Sequence, residues 1–223
     1  MDSTIEYTCF ICIMVPLLMM TITVKADSRL LTGSVALGLF VCLFSSEVSG
    51  AVIRSFGLWD SSYVTMNITP MIEEILKAIP LMLYAYRFST QKEKLLSCGF
   101  GLGVGFAVLE NIVILLRVIM YDPSRVDYLW AFVRGFGSGL MHAVTTMMVG
   151  VVISIVVKQK KMIFPGVVAI LAVATAYHAI YNALVISDLK YLGFILPLVT
   201  YIVLSPITFK KRIFSKRKEG EAS

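Results

Sequence analysis

Nine ionisable side chains lie within otherwise apolar stretches of this sequence. They include both histidines of the chain and are Glu47, Glu73, Glu74, Lys77, Glu110, Arg117, Arg134, His142 and His178. An ionisable side chain in a hydrocarbon interior costs at least ~2.5–3.5 kcal/mol to insert, so it marks a functional site or a paired structural contact. Carboxylates and imidazoles are the groups that enzymes use to move protons. These residues therefore indicate either an acid–base site or a set of interhelical ion pairs.

The first motif is Glu73-Glu74-x-x-Lys77. On a helix, Lys77 lies three or four residues from either glutamate, so its ammonium can neutralise one carboxylate. The other glutamate would then remain for chemistry. Two carboxyl groups held close in a low dielectric do not both ionise readily, and the ionised one can accept a proton from bound water. A salt bridge that only joins helices is the competing interpretation.

The second motif is Phe106-x-x-x-Glu110-Asn111, in which Glu110 stands one helical turn beyond Phe106. Arg117 lies two turns further along the same face, and we expect it to hold the charge of Glu110. An ion pair that only fixes packing is also consistent with this spacing.

Two later segments carry polar residues at helical spacing. The first has a polar side chain at every fourth position, which draws a stripe along one helix face: Arg134, Ser138, His142 and Thr146. In the second, His178 and Asn182 are also four residues apart. A single His–Asn pair is more often an interhelical hydrogen bond than a catalytic device, so this pair gains weight only beside the other motifs.

The elements that must position these residues are membrane helices. Hydrophobic residues make up 58% of the 223 positions and the mean hydropathy is +0.84, whereas soluble domains have roughly 45–50% apolar residues. Crossing a bilayer core of ~30 Å takes ~20 helical residues. Seven segments qualify: Tyr7–Val24, Leu30–Ile53, Ile68–Tyr86, Leu95–Met120, Tyr128–Val157, Met162–Ile186 and Tyr191–Phe209. We therefore predict an all-α transmembrane bundle of about seven spans.

This bundle is predicted to be a single membrane-embedded catalytic domain over residues 1–209, with its core motifs in residues 68–183 and a basic tail in residues 210–223. Glycines at alternate positions from Gly99 to Gly105 and from Gly135 to Gly139 predict tight packing between the fourth and fifth spans.

Basic residues between the spans predict the orientation. Fourteen lysines and arginines fall in segments on one side and three on the other, so the positive-inside rule places the amino terminus outside and the carboxyl terminus in the cytoplasm. The formal charge of +6 thus indicates topology and not nucleic-acid binding. The first span is expected to be a permanent helix, because Asp2 and Glu6 precede it without any lysine or arginine.

The depth of the motifs in this topology favours a common site. Glu73 and Glu74 are expected ~8–9 Å below the outer surface, and Glu110 and His178 ~23 Å above the inner one, at ~1.5 Å per residue. His142 is expected nearer the middle. Four helices would therefore bring polar groups into one outward-facing region.

The four motifs, in this order on successive helices, resemble those of the PrsW family of membrane proteases, which belongs to a wider group with the type II CAAX prenyl endopeptidases and bacteriocin-processing proteins. The resemblance covers about Ile68 to Ala183. It implies a glutamate-dependent peptidase without a metal or other cofactor, in a bacterial or archaeal plasma membrane. The CAAX branch has histidine where Glu110 stands, so the PrsW branch is favoured. Its members are similar in cleaving membrane-anchored anti-sigma factors in stress responses, on the extracytoplasmic side.

The resemblance also implies the roles of individual residues. Glu73 or Glu74 would activate water, and His178 with Asn182 would stabilise the oxyanion. The expected catalytic set is Glu73, Glu74, Glu110, His142, His178 and Asn182. The expected supporting set is Lys77, Phe106, Asn111, Arg134 and Thr146. The expected partner is a single-span membrane protein, most simply an anti-sigma factor, and no nucleic acid is expected.

Other interpretations of the same residues stay open. A zinc protease would use His142, His178 and Glu73 as ligands, although the chain has no His-Glu-x-x-His. A serine mechanism would depend on Ser138 beside His142, and an aspartyl mechanism has no aspartate within the predicted spans. An ion- or proton-coupled transporter, or a receptor without catalysis, would also place charges within the membrane. Glu47 could pair with Arg54 or join the site.

Overall fold

The computed structural model describes residues 3–24 and 27–209, and these residues form helices and short connections without a strand. Seven helices follow one another: α1 Ser3–Thr23, α2 Ser28–Phe56, α3 over residues 61–87, α4 Lys92–Tyr121, α5 Tyr128–Val156, α6 Ile163–Ile186 and α7 Lys190–Phe209. Short 3₁₀ turns precede α5 and α6 at Pro123–Arg125 and Lys160–Met162. The predicted all-α fold is confirmed. The predicted tail of residues 210–223 lies outside the described part.

Five of these helices are long and apolar enough to cross a membrane: α1, α2, α4, α5 and α6. Helix α7 has a shorter apolar stretch, Leu192–Leu204. Helix α3 carries three ionisable residues, Glu73, Glu74 and Lys77, along its middle. The described residues therefore form a multi-pass helical bundle, whereas the count of seven spans and the orientation stay predictions.

Capping residues set several of the helix ends. The Asp27 carboxylate accepts a hydrogen bond from the backbone at the start of α2, Asp60 does so at the start of α3, and Asp127 at the start of α5. Such side chains satisfy amides that have no partner within the helix. Gly57 ends α2 in a left-handed conformation with φ 62°, which favours glycine.

Two helices contain a π-helical turn close to their polar residues. In α3 the turn is Val64–Ile68, just before the Glu73-Glu74 motif, and in α5 it is Val133–Ser138, just before His142. A π turn takes more residues than an α turn, so it rotates the side chains that follow it. Both π turns therefore affect the direction in which the motif side chains point.

Helix α4 lies at the centre of the bundle and packs most extensively on α5 and α2. A Cβ added at Gly99 or Gly103 would overlap the α5 backbone, and one at Gly105 would overlap the α2 backbone at Val35. Residues two apart on a helix point about 200° apart. Alternate glycines of α4 therefore permit close packing on both sides.

The predicted glycine contact between the fourth and fifth helices is thus only part of what the structure shows. Gly135 and Gly139 of α5 do not face α4. An added Cβ there would meet Ile11 and Pro16 of α1. The sequence pattern indicated close approach correctly, but it could not assign the partner helix, because small residues permit any neighbour to approach.

We predict that Gly38→Ala weakens the bundle by about 1–3 kcal/mol, because the new Cβ would overlap the α4 backbone at Leu102. The control is Gly33→Ala on the same helix, where no atom lies within 4 Å of the added Cβ. Thermal unfolding of the purified protein in detergent, followed by tryptophan fluorescence, provides the measurement. Equal midpoints for the two variants would contradict the packing described for α2 and α4.

Candidate active site

Side chains from α3, α4, α5 and α6 meet in one polar cluster inside the bundle. Five of its members are almost fully buried, with exposed fractions of 6% or less: Glu73, Glu74, Lys77, His142 and His178. Glu110 is partly exposed, with 20% of its side chain accessible. The structure therefore brings together the acidic and histidine residues that the sequence placed on four separate helices.

Glu74 is the carboxylate that Lys77 neutralises. The Lys77 Nζ donates to Glu74 Oε1 at 2.6 Å, and His178 Nδ1 contacts the same oxygen at 2.9 Å. An ionised carboxylate only accepts hydrogen bonds, so the proton of neutral His178 lies on Nδ1. The Nε2 atom of His178 then presents a lone pair to the rest of the site.

Lys77 also fixes the second histidine. Its Nζ lies 2.9 Å from His142 Nδ1 and 4.8 Å from the centroid of the Phe106 ring, a cation–π arrangement. An ammonium can only donate, so His142 Nδ1 accepts and the His142 proton lies on Nε2. That Nε2 is 3.0 Å from Glu110 Oε2 and donates to it. Lys77 thus connects Glu74 with Glu110 through His142.

One carboxylate oxygen of Glu110, Oε2, accepts hydrogen bonds from three side chains of α5. They are Arg134 Nη2 at 3.2 Å, Ser138 Oγ at 3.2 Å and His142 Nε2 at 3.0 Å. Four residues of α-helix overshoot one turn by about 40°. The π turn of α5 takes more residues per turn and so counters this drift. As a result, side chains at successive fourth positions stay on one face and reach the same carboxylate.

The prediction that Arg117 holds the charge of Glu110 was wrong. Arg134 of α5 pairs with Glu110, whereas Arg117 of α4 is exposed and makes no ion pair with it. The spacing along α4 suggested Arg117 as the partner of Glu110, but Arg134 of the neighbouring helix α5 lies closer to the carboxylate. Arg117 and Glu47 instead line a cavity beside the cluster.

Glu73 differs from the other two carboxylates because it has no lysine or arginine partner among the described residues. Its Oε2, like the Oε2 of Glu74, is buried without a hydrogen-bond partner there, and it lies 3.8 Å from His178 Nε2, beyond direct hydrogen bonding. The two cations of the cluster, Lys77 and Arg134, already pair with Glu74 and Glu110. Glu73 is therefore the carboxylate left without a cation, and it faces the cavity.

This cavity has a volume of about 530 Å³ and lies at one end of the bundle. Its walls are the last turns of α2, α4 and α6 and the first turns of α3 and α5. Glu73, Glu110, Arg134 and Asn182 line it. The positive-inside rule predicts that this end faces outward.

The remaining predicted residues have different surroundings. Asn182 lines the cavity, and its Nδ2 donates to the Thr65 carbonyl in the π turn of α3 at 3.0 Å. Asn111 donates to the Arg134 carbonyl at 3.2 Å and so ties α4 to α5 away from the acids. Thr146 Oγ1 is buried and has no hydrogen-bond partner among the described residues. Asn111 therefore bonds to the α5 backbone, and no side-chain hydrogen bond in the described part of the chain joins Thr146 to the cluster.

Three buried cavity residues of α2 escaped the sequence analysis: Cys42, Ser45 and Ser49. Small residues in an apolar helix usually serve packing, so nothing in the sequence distinguished them. Ser138, which the sequence analysis placed in the polar stripe and also considered as a nucleophile, is a hydrogen-bond donor to Glu110.

A metal ion has one candidate position in the described residues. Ligand atoms of Glu73, His142 and His178 lie within 4.8 Å of one another, and Glu74 holds the far nitrogen of His178 as carboxylates do for ligating histidines. However, both nitrogens of His142 are occupied, one of them by the ammonium of Lys77. Catalytic zinc sites use three protein ligands, and this trio offers two free ones. The residues as arranged therefore do not fit a metal.

The fold and the site define a class: a multi-pass helical membrane protein with a buried carboxylate–imidazole centre that opens to a cavity. Within that class the chain belongs to the PrsW family, because a family model described as "PrsW family intramembrane metalloprotease" matches residues 27–208. The chain is thus a membrane protease of that family. Neither the search of curated proteins nor that of solved structures returned a match. The description names a metalloprotease, so metal independence stays a prediction.

We predict that Lys77→Met destabilises the protein by about 3–5 kcal/mol, because it leaves the Glu74 carboxylate buried without its cation. Adding Glu74→Gln should restore part of the loss, since the neutral amide oxygen can still accept from His178. The control is the exposed Lys94→Met on α4. Unfolding midpoints in detergent measure the effect. A Lys77→Met midpoint equal to that of the control would contradict the ion pair.

Proposed function

We propose that this protein is a membrane-embedded endopeptidase in which Glu73 activates water to hydrolyse a peptide bond of a membrane-anchored protein. The observation that carries the proposal is the Glu73 carboxylate, which is buried, lines the cavity and has no cation among the described residues. Its Oε2 lies 3.8 Å from His178 Nε2, the nitrogen that carries a lone pair. A water molecule between these atoms would donate one hydrogen to each.

In this mechanism Glu73 accepts a proton as the water oxygen attacks the scissile carbonyl carbon. The tetrahedral intermediate then collapses, and Glu73 returns the proton to the leaving amine. Glu74 and Lys77 do not touch the substrate. They hold His178 and His142 in the tautomers that keep Nε2 of His178 free to accept from water.

The oxyanion site is assigned differently from the resemblance. His178 donates its single proton to Glu74, so its Nε2 cannot donate to an oxyanion while the histidine is neutral. Asn182 Nδ2 carries two hydrogens, of which Thr65 O takes one. The second is the donor that the cavity wall offers to the developing negative charge. We therefore assign oxyanion binding to Asn182 and water orientation to His178.

We further propose that the substrate is a single-span membrane protein cut on the extracytoplasmic side, with an anti-sigma factor in a bacterial plasma membrane and a stress response as the simplest setting. The cavity supports this choice. Its volume of about 530 Å³ is that of a small-ligand pocket, so it admits a short extended segment and not a folded domain. It also lies at the end of the bundle that is predicted to face outward.

A zinc-dependent protease is the second candidate, favoured by the proximity of Glu73, His142 and His178 and by the description of the family. For this, His142 would have to exchange its contact with Lys77 or Glu110 for the metal.

We predict that Glu73→Gln lowers the rate of peptide cleavage by about 10²–10⁴-fold, the usual contribution of a general base, without loss of folded protein. The assay uses the purified chain in nanodiscs with a panel of single-span peptides that carry a quenched fluorophore pair around the juxtamembrane segment. The control is Glu93→Gln, an exposed residue at the start of α4. A Glu73→Gln variant as active as the control would refute the assignment of the base.

The two candidate mechanisms differ in their response to metal removal. For the water-activating glutamate we expect full cleavage of the same peptides after dialysis against a chelator, and no stoichiometric zinc by elemental analysis. Loss of activity on chelation, restored by zinc and accompanied by one bound zinc ion per chain, would replace the first mechanism with the second.

A further inference from the structure

The cavity extends beyond Glu73 and Glu110 along the last turns of α2 and α4, and the proposed mechanism uses none of that lining. Five polar residues of α2 and α4 stand there: Ser45, Ser46, Glu47, Ser49 and Arg117. Ser45 and Ser49 are buried, whereas Ser46, Glu47 and Arg117 are exposed.

Ser49 is a buried hydroxyl without a hydrogen-bond partner. Its exposed fraction is 7% and its Oγ makes no hydrogen bond within the described residues. Ser45, one turn earlier on the same helix, donates to the carbonyl of Cys42 at 2.9 Å and is satisfied. A buried hydroxyl without a hydrogen bond lowers stability, because it has lost its contacts with water and gained none in exchange. A ligand group in the cavity, such as a peptide carbonyl, would recover that loss.

Arg117 lies at the same wall and forms no ion pair within 4 Å with a carboxylate of the described residues, including Glu47 across the cavity. Glu110 already pairs with Arg134. Arginine binds carboxylates through two parallel hydrogen bonds, so an acidic side chain is the ligand group that suits this position.

The spacing along α4 gives the position of that acidic group. Arg117 lies seven residues beyond Glu110, or about 10.5 Å along the helix axis. An extended peptide rises about 3.3 Å per residue. A peptide whose scissile bond lies at the level of Glu110 would therefore bring a side chain to Arg117 about three residues away.

We propose that Ser49 and Arg117 form a substrate subsite. Ser49 donates to the peptide backbone, and Arg117 binds an acidic side chain about three residues from the scissile bond. The subsite lies on the side of the scissile bond where α2 and α4 terminate. The subsite defines the class of peptide that the proposed peptidase would bind, and this inference rests on the proposed peptidase function. Glu47 lies in the same cavity and opposes binding of an acidic peptide through charge repulsion.

The test measures binding separately from cleavage. Full-length Glu73→Gln protein in nanodiscs is titrated with synthetic single-span peptides labelled with a fluorophore, in which one glutamate is moved through six juxtamembrane positions or replaced by glutamine or lysine. We expect glutamate at one position to bind about tenfold more tightly than glutamine there. Fluorescence anisotropy gives the dissociation constants.

Variants made in the Glu73→Gln background assign the effect. Arg117→Gln should remove the preference for glutamate, Arg117→Glu should reverse it in favour of lysine, and Glu47→Gln should strengthen binding of the glutamate peptide. Ser49→Ala should weaken binding of all peptides equally. The control is Ser45→Ala, on the same cavity wall, because the Ser45 hydroxyl already donates to the Cys42 carbonyl and its loss should not weaken binding. Arg54→Gln, an exposed cation on α2 that does not line the cavity, should leave the preference unchanged.

Equal binding of glutamate and glutamine peptides at every position, a preference that survives Arg117→Gln, or no binding at all would overturn the subsite. The proposed function fails differently. Charge-dependent binding without cleavage by the unmodified protein would keep the subsite and reject the peptidase. Cleavage that does not depend on Arg117 would keep the peptidase and reject the subsite.

Discussion

A buried ammonium connects the functional groups of this protein. Lys77 lies inside the bundle with 1% of its surface exposed and directs its donors at Glu74, at His142 and at the face of Phe106. Such a cation is tolerated in an apolar interior only when its hydrogen bonds are satisfied. Because it can only donate, Lys77 also fixes which nitrogen of His142 carries the proton. One side chain thereby determines the hydrogen-bonding direction of a network that includes both histidines.

The charge balance around this network separates the three glutamates. Lys77 compensates Glu74, and Arg134 compensates Glu110, whereas Glu73 has no cation among the described residues and lines the cavity. A carboxylate without a cation, beside a lone pair on His178, is better suited to accept a proton from water than one whose charge is already neutralised. Chemical differences between identical side chains thus arise from their partners. The same network explains why a metal would have to displace an existing contact of His142.

The backbone makes these contacts possible in two ways. Alternate glycines let α4 approach α2 on one side and α5 on the other, so the helices that carry the cluster lie close together. The π turn in α5 keeps Arg134, Ser138 and His142 on one face, where all three reach a single oxygen of Glu110. A regular α-helix would turn the first of these residues away from the last.

Hydropathy and spacing by themselves determined the all-helical membrane class, the polar residues of the four motifs and the ability of Lys77 to neutralise a neighbouring glutamate, because these properties depend on residues near one another in the chain. They did not determine which glutamate Lys77 would pair with, that Arg134 and not Arg117 would pair with Glu110, or that Gly135 and Gly139 of α5 would face α1. Only the tertiary structure decided these points. Each depends on distances between helices and on the rotation that π turns add, and neither quantity is encoded in the spacing along a single helix.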